Sequence, residues 1–425
     1  MNEASVALVG GRVLTPTAAG ELTSPFPATV VLEGQRIARV GPGEPPAGAA
    51  VVDVSGLTLL PGLVDLHTHV PTPAAMALYL QQGITSVRFA GTALGVAGGL
   101  RARLANGEGP GPRIFSCGPL LDEPPAAWPD SSLEVDGPAA AREAAARLLD
   151  AEADALILAQ RVRPETLAAV VAVADERGVA VTGQTWTTSV REAVRRGMHG
   201  VENTARLPEA PTADAAWVAG YRSIGHRLAR LAWLWRTAPQ EPLDEVLALM
   251  VERQTDWAPE LCSFAHWAGL ADAALAALPG YALLDEAARA AIPASRGRTT
   301  EGWDDEDRDN TRAAIARMQA AVARYVALGG RLAVGTDAHP GAVFYHLELD
   351  LLRAAGLSSA AVLAAATAGG ARALRRESDL GRLAPGALAD LIAVEGDPSR
   401  DLAALQRVRH VFVGGRHLLR DGNLA

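Results

Sequence analysis

The sequence predicts a (β/α)8 barrel carrying a small β-domain built from both chain ends. Three observations lead there. Eight short apolar stretches alternate with amphipathic helical patterns through the middle of the chain. Both ends read instead as short strands with glycine turns. Metal-competent side chains stand where the first and last of the eight stretches end, and in a closed barrel those two strands are neighbours.

Taken in order, the first sixty residues contain "VALVGGRVLTP", "ATVVLEGQRIARVGP" and "VVDVSGLTLLPG". Their alternation, β-branched residues and glycine punctuation favour strands. "GRLAPGALADLIAVEGDP" and "VRHVFVGGRHLLRDG" read the same way near the other end. The expected organisation is therefore 1–60 and 377–425 as two parts of one β-domain, with 61–376 as the barrel. The eight expected barrel strands are Leu63–His69, Thr85–Gly91, Pro112–Gly118, Ala153–Gln160, Val179–Thr185, Gly200–Thr204, Asp256–Cys262 and Arg331–His339. Between them lie Ala/Arg/Leu-rich segments such as "PETLAAVVAVADERG", closed by glycine as helices often are. Two excursions, Ala205–Glu241 and Ser263–Glu306, break the rhythm. Insertions on the C-terminal side of barrel strands commonly shape a substrate pocket.

Composition narrows the partners. A chain of 425 residues, 49% hydrophobic, is long enough for more than one domain. Its net charge of -9 argues against a nucleic-acid partner. The start, "MNEASVALVGGRVL", lacks a basic region followed by an apolar core, and no run reaches membrane-span length. The two cysteines, Cys117 and Cys262, fall in no metal-like spacing, so a cytoplasmic setting is expected, with a homodimer as the base-rate assembly. All 39 basic residues are arginine. A lysine Schiff base, a lysine general base and a lysine-derived metal ligand are thereby excluded.

The chemistry concentrates in "GLVDLHTHVP", Gly62 to Pro71. In an extended strand, residues two apart share a face, so His67 and His69 can grip one ion. Asp337, in "VGTDAHP", ends the eighth strand beside them. At these residues the chain resembles the amidohydrolase superfamily, in particular the branch of imidazolonepropionase and prolidase-like hydrolases. The matching pieces are "PGLVDLHTH", "GTDAHP", "HLELDLLRAAGLSSAAVLAAATAGGARAL" and "GRLAPGALADLIAVEGDP". The resemblance implies a metal-dependent barrel flanked by a β-sandwich made from both ends.

It also implies a ligand set from which this chain departs. The family usually adds a carboxylated lysine on the fourth strand and histidines on the fifth and sixth, holding two metals. Here "EADALILAQ" puts Ile157 at the lysine position, "GVAVTGQTW" puts Gln184 at the first histidine position, and "HGVENTARL" puts Asn203, after Glu202, at the second. His67, His69 and Asp337 survive, which implies one divalent metal: zinc, with iron or manganese as alternatives. Catalytic zinc commonly takes three protein ligands and leaves a position for water. Asp337 can act as ligand, as general base, or as both.

Further candidates surround this set. Gln184 and Asn203 suit hydrogen bonding to substrate better than zinc ligation. Glu260 and His266 are candidate replacement metal ligands or acid–base groups, and with Glu202 they are candidate substrate-binding residues. Trp186 and Trp267 suit an apolar pocket. His339 and His346 follow the eighth strand and are weighed against turn capping and helix packing. His199, His410 and His417 read as structural. The leading expectation is hydrolysis of a C–N bond in a small amide or cyclic amide by one metal-activated water. A metal-free lyase, isomerase or cyclase, and a catalytically silent ligand-binding relative, remain as alternatives.

Overall fold

A computed structural model describes residues 5–17, 21–69, 73–204, 207–208, 224–338 and 341–424. Eight parallel strands form the barrel: Leu63–Thr68, Ile84–Phe89, Arg113–Ser116, Ala155–Leu158, Ala180–Gly183, Gly200–Glu202, Asp256–Ala258 and Arg331–Leu332. Parallel strands are covered on both faces, so they read as apolar runs rather than alternations. "ALIL" and "AVTG", the fourth and fifth strands, are buried at every residue.

Two joints close the barrel. The third strand is bent in two: Arg113–Ser116 pairs with the second strand, while Leu120–Asp122 pairs with the fourth through Leu121 and Leu158. The first and eighth strands meet where Leu66 N–H donates to the Val334 carbonyl (3.0 Å) and Asp337 N–H to the His67 carbonyl (2.8 Å). The outer helices carry the expected end signals. Pro164–Arg177 begins on proline and closes on Gly178, whose φ of 68° is the left-handed turn that glycine takes without strain. Asp305–Ala327 starts from a reciprocal capping box between Asp304 and Asp307, which explains the acidic run there.

Both chain ends interleave in a seven-stranded sheet. Leu57–Pro61 pairs antiparallel with Leu391–Glu395, which pairs with Val408–Val413. A four-stranded sheet from the first sixty residues (Val6–Val9, Thr29–Glu33, Arg36–Gly41 and Ala50–Asp53) packs against it. Leu8, Val30, Leu32, Leu59, Leu391 and Phe412 form the shared core, separate from the barrel core. The architecture is a (β/α)8 barrel with an attached β-sandwich.

The strands are shorter than the sequence suggests, mostly at their C-terminal ends. The seventh stops at Ala258, and Cys262 lies instead in the helix Leu261–Trp267. The run "ELCSF" stays apolar because that short helix is itself buried, and periodicity cannot separate such a helix from a buried strand. The eighth is laddered over Arg331–Leu332 only. Ala205–Glu241 lies partly outside the described residues; its described part includes the helix Ile224–Thr237. The Ser263–Glu306 excursion is helical, with Ala271–Ala277 and Glu286–Thr299 as its main pieces. No described helix is long and apolar enough to cross a membrane.

Candidate metal centre and substrate cavity

The first strand ends in an irregularity: its ladder with the second strand shifts register between Asp65 and Thr68. Such shifts re-aim side chains beside active sites. The His67 and His69 rings meet edge-on at 5.4 Å. His69 Nε2 lies 3.0 Å and His67 Nε2 3.4 Å from the same atom, Asp337 Oδ1. Tetrahedral ligands about 2.0–2.1 Å from zinc stand about 3.3 Å apart, so these separations fit one shared ion. Asp337 Oδ2 accepts from Gln184 Nε2 (3.3 Å) and Asn203 Nδ2 (3.4 Å). Burial opposes ionisation of Asp337, but His67 and His69 outweigh it and hold the carboxyl well below its usual range.

The other nitrogen of His67 faces inward. Nδ1 lies 2.6 Å from Glu202 Oε2 and 3.1 Å from Glu260 Oε1, at ion-pair distance but without hydrogen-bond alignment. Glu202 also pairs with Arg88, and all three side chains are almost wholly inaccessible. Burial disfavours the His67 cation, yet Glu260, Asp337 and Glu202 outweigh it and raise the imidazole well above its ordinary range. Burial pushes Glu260 up to about 8, with His67 opposing. Burial also acts on Glu202, but Arg88 and His67 pull it below the usual value. A histidine ligand that presents its second nitrogen to a carboxylate has its tautomer and ring orientation fixed.

Backbone strain gathers at the same place. Asn203 (φ 65°), Glu260 (φ 54°) and Asp337 (φ 45°) follow the sixth, seventh and eighth strands in left-handed conformations. Asn and Asp tolerate that region better than most residues; Glu260 gains nothing from its side chain there. Strain of this kind persists where the surroundings over-determine it, and it clusters at functional sites. Asp65 locks the joint from beneath. Its Oδ1 accepts from the backbone N–H groups of His67 (3.2 Å) and Thr336 (3.1 Å), and its Oδ2 from Thr336 Oγ1 (2.9 Å).

Above the imidazoles opens a cavity of about 310 Å³. Of the residues singled out from sequence, His67, His69, Asp337, Gln184, Asn203, Trp186, Trp267 and His266 line it, and so does Ile157 at the family's lysine position. Glu202 and Glu260 do not; they are sealed under His67, which corrects the expectation that they meet substrate. His346 is also corrected. It is buried on the helix Gly341–Ala354, its Nε2 is 3.2 Å from the Gln82 carbonyl oxygen, and burial lowers it to about 4. His339 lies outside the described residues. His266 packs edge-on against Phe344, with Nε2 3.3 Å from Ser295 Oγ; burial and Arg296 push it down to about 4.

Comparison with known proteins adds the lineage. Residues 252–418 match the sequence model described as "Amidohydrolase family", a span containing Asp337 but neither His67 nor His69. That stretch of the chain is similar to the amidohydrolase family. The chain's relatives include imidazolonepropionase of Rubrobacter xylanophilus, 45% identical over 74 residues, which are 16% of this chain and only 18% of that protein. In solved structures the whole fold recurs. A putative prolidase from Bifidobacterium longum superposes with a TM-score of 0.70 at 23% identity, covering 100% of this chain and 97% of the other. The A. niger ochratoxinase gives 0.71 at 18% identity over 99% and 97%. At such identities the likeness concerns the fold.

Within the barrel, two contributors escaped the sequence reading. Arg88 and Asp65 are single charges inside the apolar strands "ITSVRF" and "LVDLHT". That interruption was the available signal, because a charge in a strand buried on both faces must find a partner there.

Proposed function

We propose that this protein is a metal-dependent hydrolase that cleaves a C–N bond in a small, non-peptide amide or cyclic amide, using one divalent ion. The observation that carries the reading is the convergence of His67 Nε2 and His69 Nε2 on Asp337 Oδ1 at the floor of the cavity. Zinc is the leading ion, with iron or manganese as alternatives. Once bound, the ion supplies Lewis acidity and a water acidic enough to serve as nucleophile near neutral pH.

The chain's own residues do the rest. Asp337 receives a proton from the attacking water and returns it to the departing nitrogen. Gln184 and Asn203 hold its second oxygen, so the carboxylate keeps one orientation through the transfer. Glu202 and Glu260 fix His67 from below. At the second-metal positions, Ile157 offers no ligand, and Gln184 and Asn203 offer neutral amides engaged with Asp337.

Elemental analysis of the wild type and of a His67→Ala/His69→Ala variant tests this. About one ion per chain, absent from the variant together with hydrolysis, is the expected result. No ion after reconstitution with zinc, iron and manganese would remove the hydrolytic reading and favour metal-free chemistry. Two ions per chain would show that the substituted positions still hold a second metal.

A further inference from the structure

Inside the barrel an ion pair crosses from one wall to the other. Arg88 lies on the second strand, Ile84–Phe89, and Glu202 ends the sixth, Gly200–Glu202. In a closed eight-stranded barrel these two strands stand opposite each other. Barrel interiors are ordinarily filled by layers of branched apolar side chains. Here Ala180, Ala258 and Ala333 line one interior cavity together with Arg88 and Glu202, and such small residues leave room for a long side chain to cross. Arg88 Nη2 donates to Glu202 Oε1, and both side chains are buried. Glu202 Oε2 stands 2.6 Å from His67 Nδ1, and His67 Nε2 stands 3.4 Å from Asp337 Oδ1. One chain of contacts thus runs from the second strand, through the sixth, to the first and the eighth.

We infer that Arg88 is a positioning residue for the candidate metal centre. By holding one oxygen of Glu202 it fixes the other against His67 Nδ1, and so orients the imidazole whose Nε2 faces the ion. This rests on the one-ion centre proposed above. The torsion that sets the plane of a glutamate carboxyl is broad and weakly restrained. A guanidinium, with its rigid fork of donors, stops that rotation better than an ammonium does. Stability alone is a poor reason for the pair, because apolar residues of similar volume often replace a buried ion pair without loss. Orienting His67 accounts for a full charge in a strand that is buried at every residue. Repulsion between the guanidinium and a divalent ion acts in the opposite direction. The sign of the change in metal affinity on removing Arg88 therefore separates orientation from charge alone.

Chelator competition measures the affinity for zinc and for cobalt in the wild type, Arg88→Met, Glu202→Gln and the double variant. Visible absorption compares the cobalt-loaded proteins. Arg88→Met is expected to bind either ion about tenfold more weakly, the lower end of the loss typical for outer partners of a ligating histidine. Its cobalt bands should shift as well. In the Glu202→Gln background the same substitution should change affinity by less than about twofold. Arg88→Lys keeps the charge without the fork and serves where Arg88→Met does not fold; it should show a smaller loss that also disappears beside Glu202→Gln. Unchanged affinity and cobalt bands, with only a lower unfolding midpoint, would make Arg88 structural and overturn the inference. Tighter binding, the outcome of repulsion alone, would overturn it too. So would an equal loss in both Glu202 backgrounds, because Arg88 would then act by another route. The expected pattern without amide hydrolysis keeps the inference and removes the hydrolytic reading. Hydrolysis by an Arg88→Met variant that binds metal as the wild type does is the reverse. A wild type that takes up neither ion removes both.

Discussion

The two ends of the barrel hold similar charges and treat them in opposite ways. At the base, a cavity of about 360 Å³ is lined by Arg253, Arg331, Arg372, Arg375, Asp175 and Asp256 among others. The Arg372–Asp256 charges there are paired: Arg372 Nε donates to Asp256 Oδ1 (2.7 Å) and its Nη2 to the Leu332 carbonyl (3.1 Å). His199 accepts from Val181 N–H (3.0 Å) while its other nitrogen meets Asp175 (3.0 Å). At the mouth, three carboxylates crowd one imidazole, and neither oxygen of Glu260 has a hydrogen-bond partner among the described residues. Native structures satisfy most buried polar atoms, so exceptions call for an explanation. Base and mouth together separate charge that serves folding from charge held ready for a ligand. Conservation of fold-level consistency at one end and its local violation at the other is what a functional site on a stable scaffold produces.

The largest expected effect comes from breaking the mouth. Glu260→Gln keeps the shape and replaces the carboxyl group that faces His67 Nδ1. Loss of an outer partner of a metal-ligating histidine typically costs 10–100-fold in metal affinity, about 1.4–2.8 kcal/mol. Competition against a chelator should show that weakening, while thermal unfolding of the metal-free variant stays at or above the wild-type midpoint. A variant that binds metal normally but unfolds several degrees lower would place Glu260 with the base, as a structural charge.

A smaller effect is expected one layer behind the site. Glu348, on the helix Gly341–Ala354, is fully buried; its Oε2 accepts from Cys262 N–H at 2.7 Å, and its Oε1 has no hydrogen-bond partner among the described residues. Burial pushes the carboxyl up to about 7. Because its folded pKa lies above the unfolded one, the native state binds more protons than the unfolded chain between about pH 4.5 and 7. Stability from this group is therefore present in acid and lost as pH rises through that window. Glu348→Gln mimics the protonated form. Chemical denaturation should find it more stable than the wild type at pH 8, with the difference vanishing toward pH 4.5. An unchanged difference across that range would show that Glu348 does not carry the slope.

How far the sequence already contained this contrast differs by element. The barrel was legible because buried parallel strands and glycine-closed helices leave strong local patterns, and "LVDLHTH" with "GTDAHP" brought His67, His69 and Asp337 together. Gln184, Asn203, Trp186 and His266 were also placed near the mouth, because residues just past a barrel strand face it. The direction of a side chain was not legible. Glu202 and Asn203 are adjacent, yet one points beneath His67 and the other into the cavity. Glu260 was expected on the rim and lies sealed because its left-handed backbone turns it under the imidazole. His346 has the composition of a site residue and the environment of a packing residue. Arg88 announced itself only as one charge in an apolar strand, and nothing local said that Glu202 would meet it.

The base offers the smallest effect and the cleanest control. Arg372 is partly exposed and holds Asp256 together with the Leu332 carbonyl at the end of the eighth strand. A partly solvated pair of this kind contributes modestly, so Arg372→Gln should lower unfolding stability by about 1 kcal/mol. Gln keeps a donor for the carbonyl, which limits the damage to the lost ion pair. Metal content and turnover should be unchanged, since the cavity at the base serves the scaffold. If Arg372→Gln instead weakened metal binding as strongly as Glu260→Gln, the barrel would be transmitting strain from its base to its mouth. The two ends would then have to be treated as one electrostatic unit.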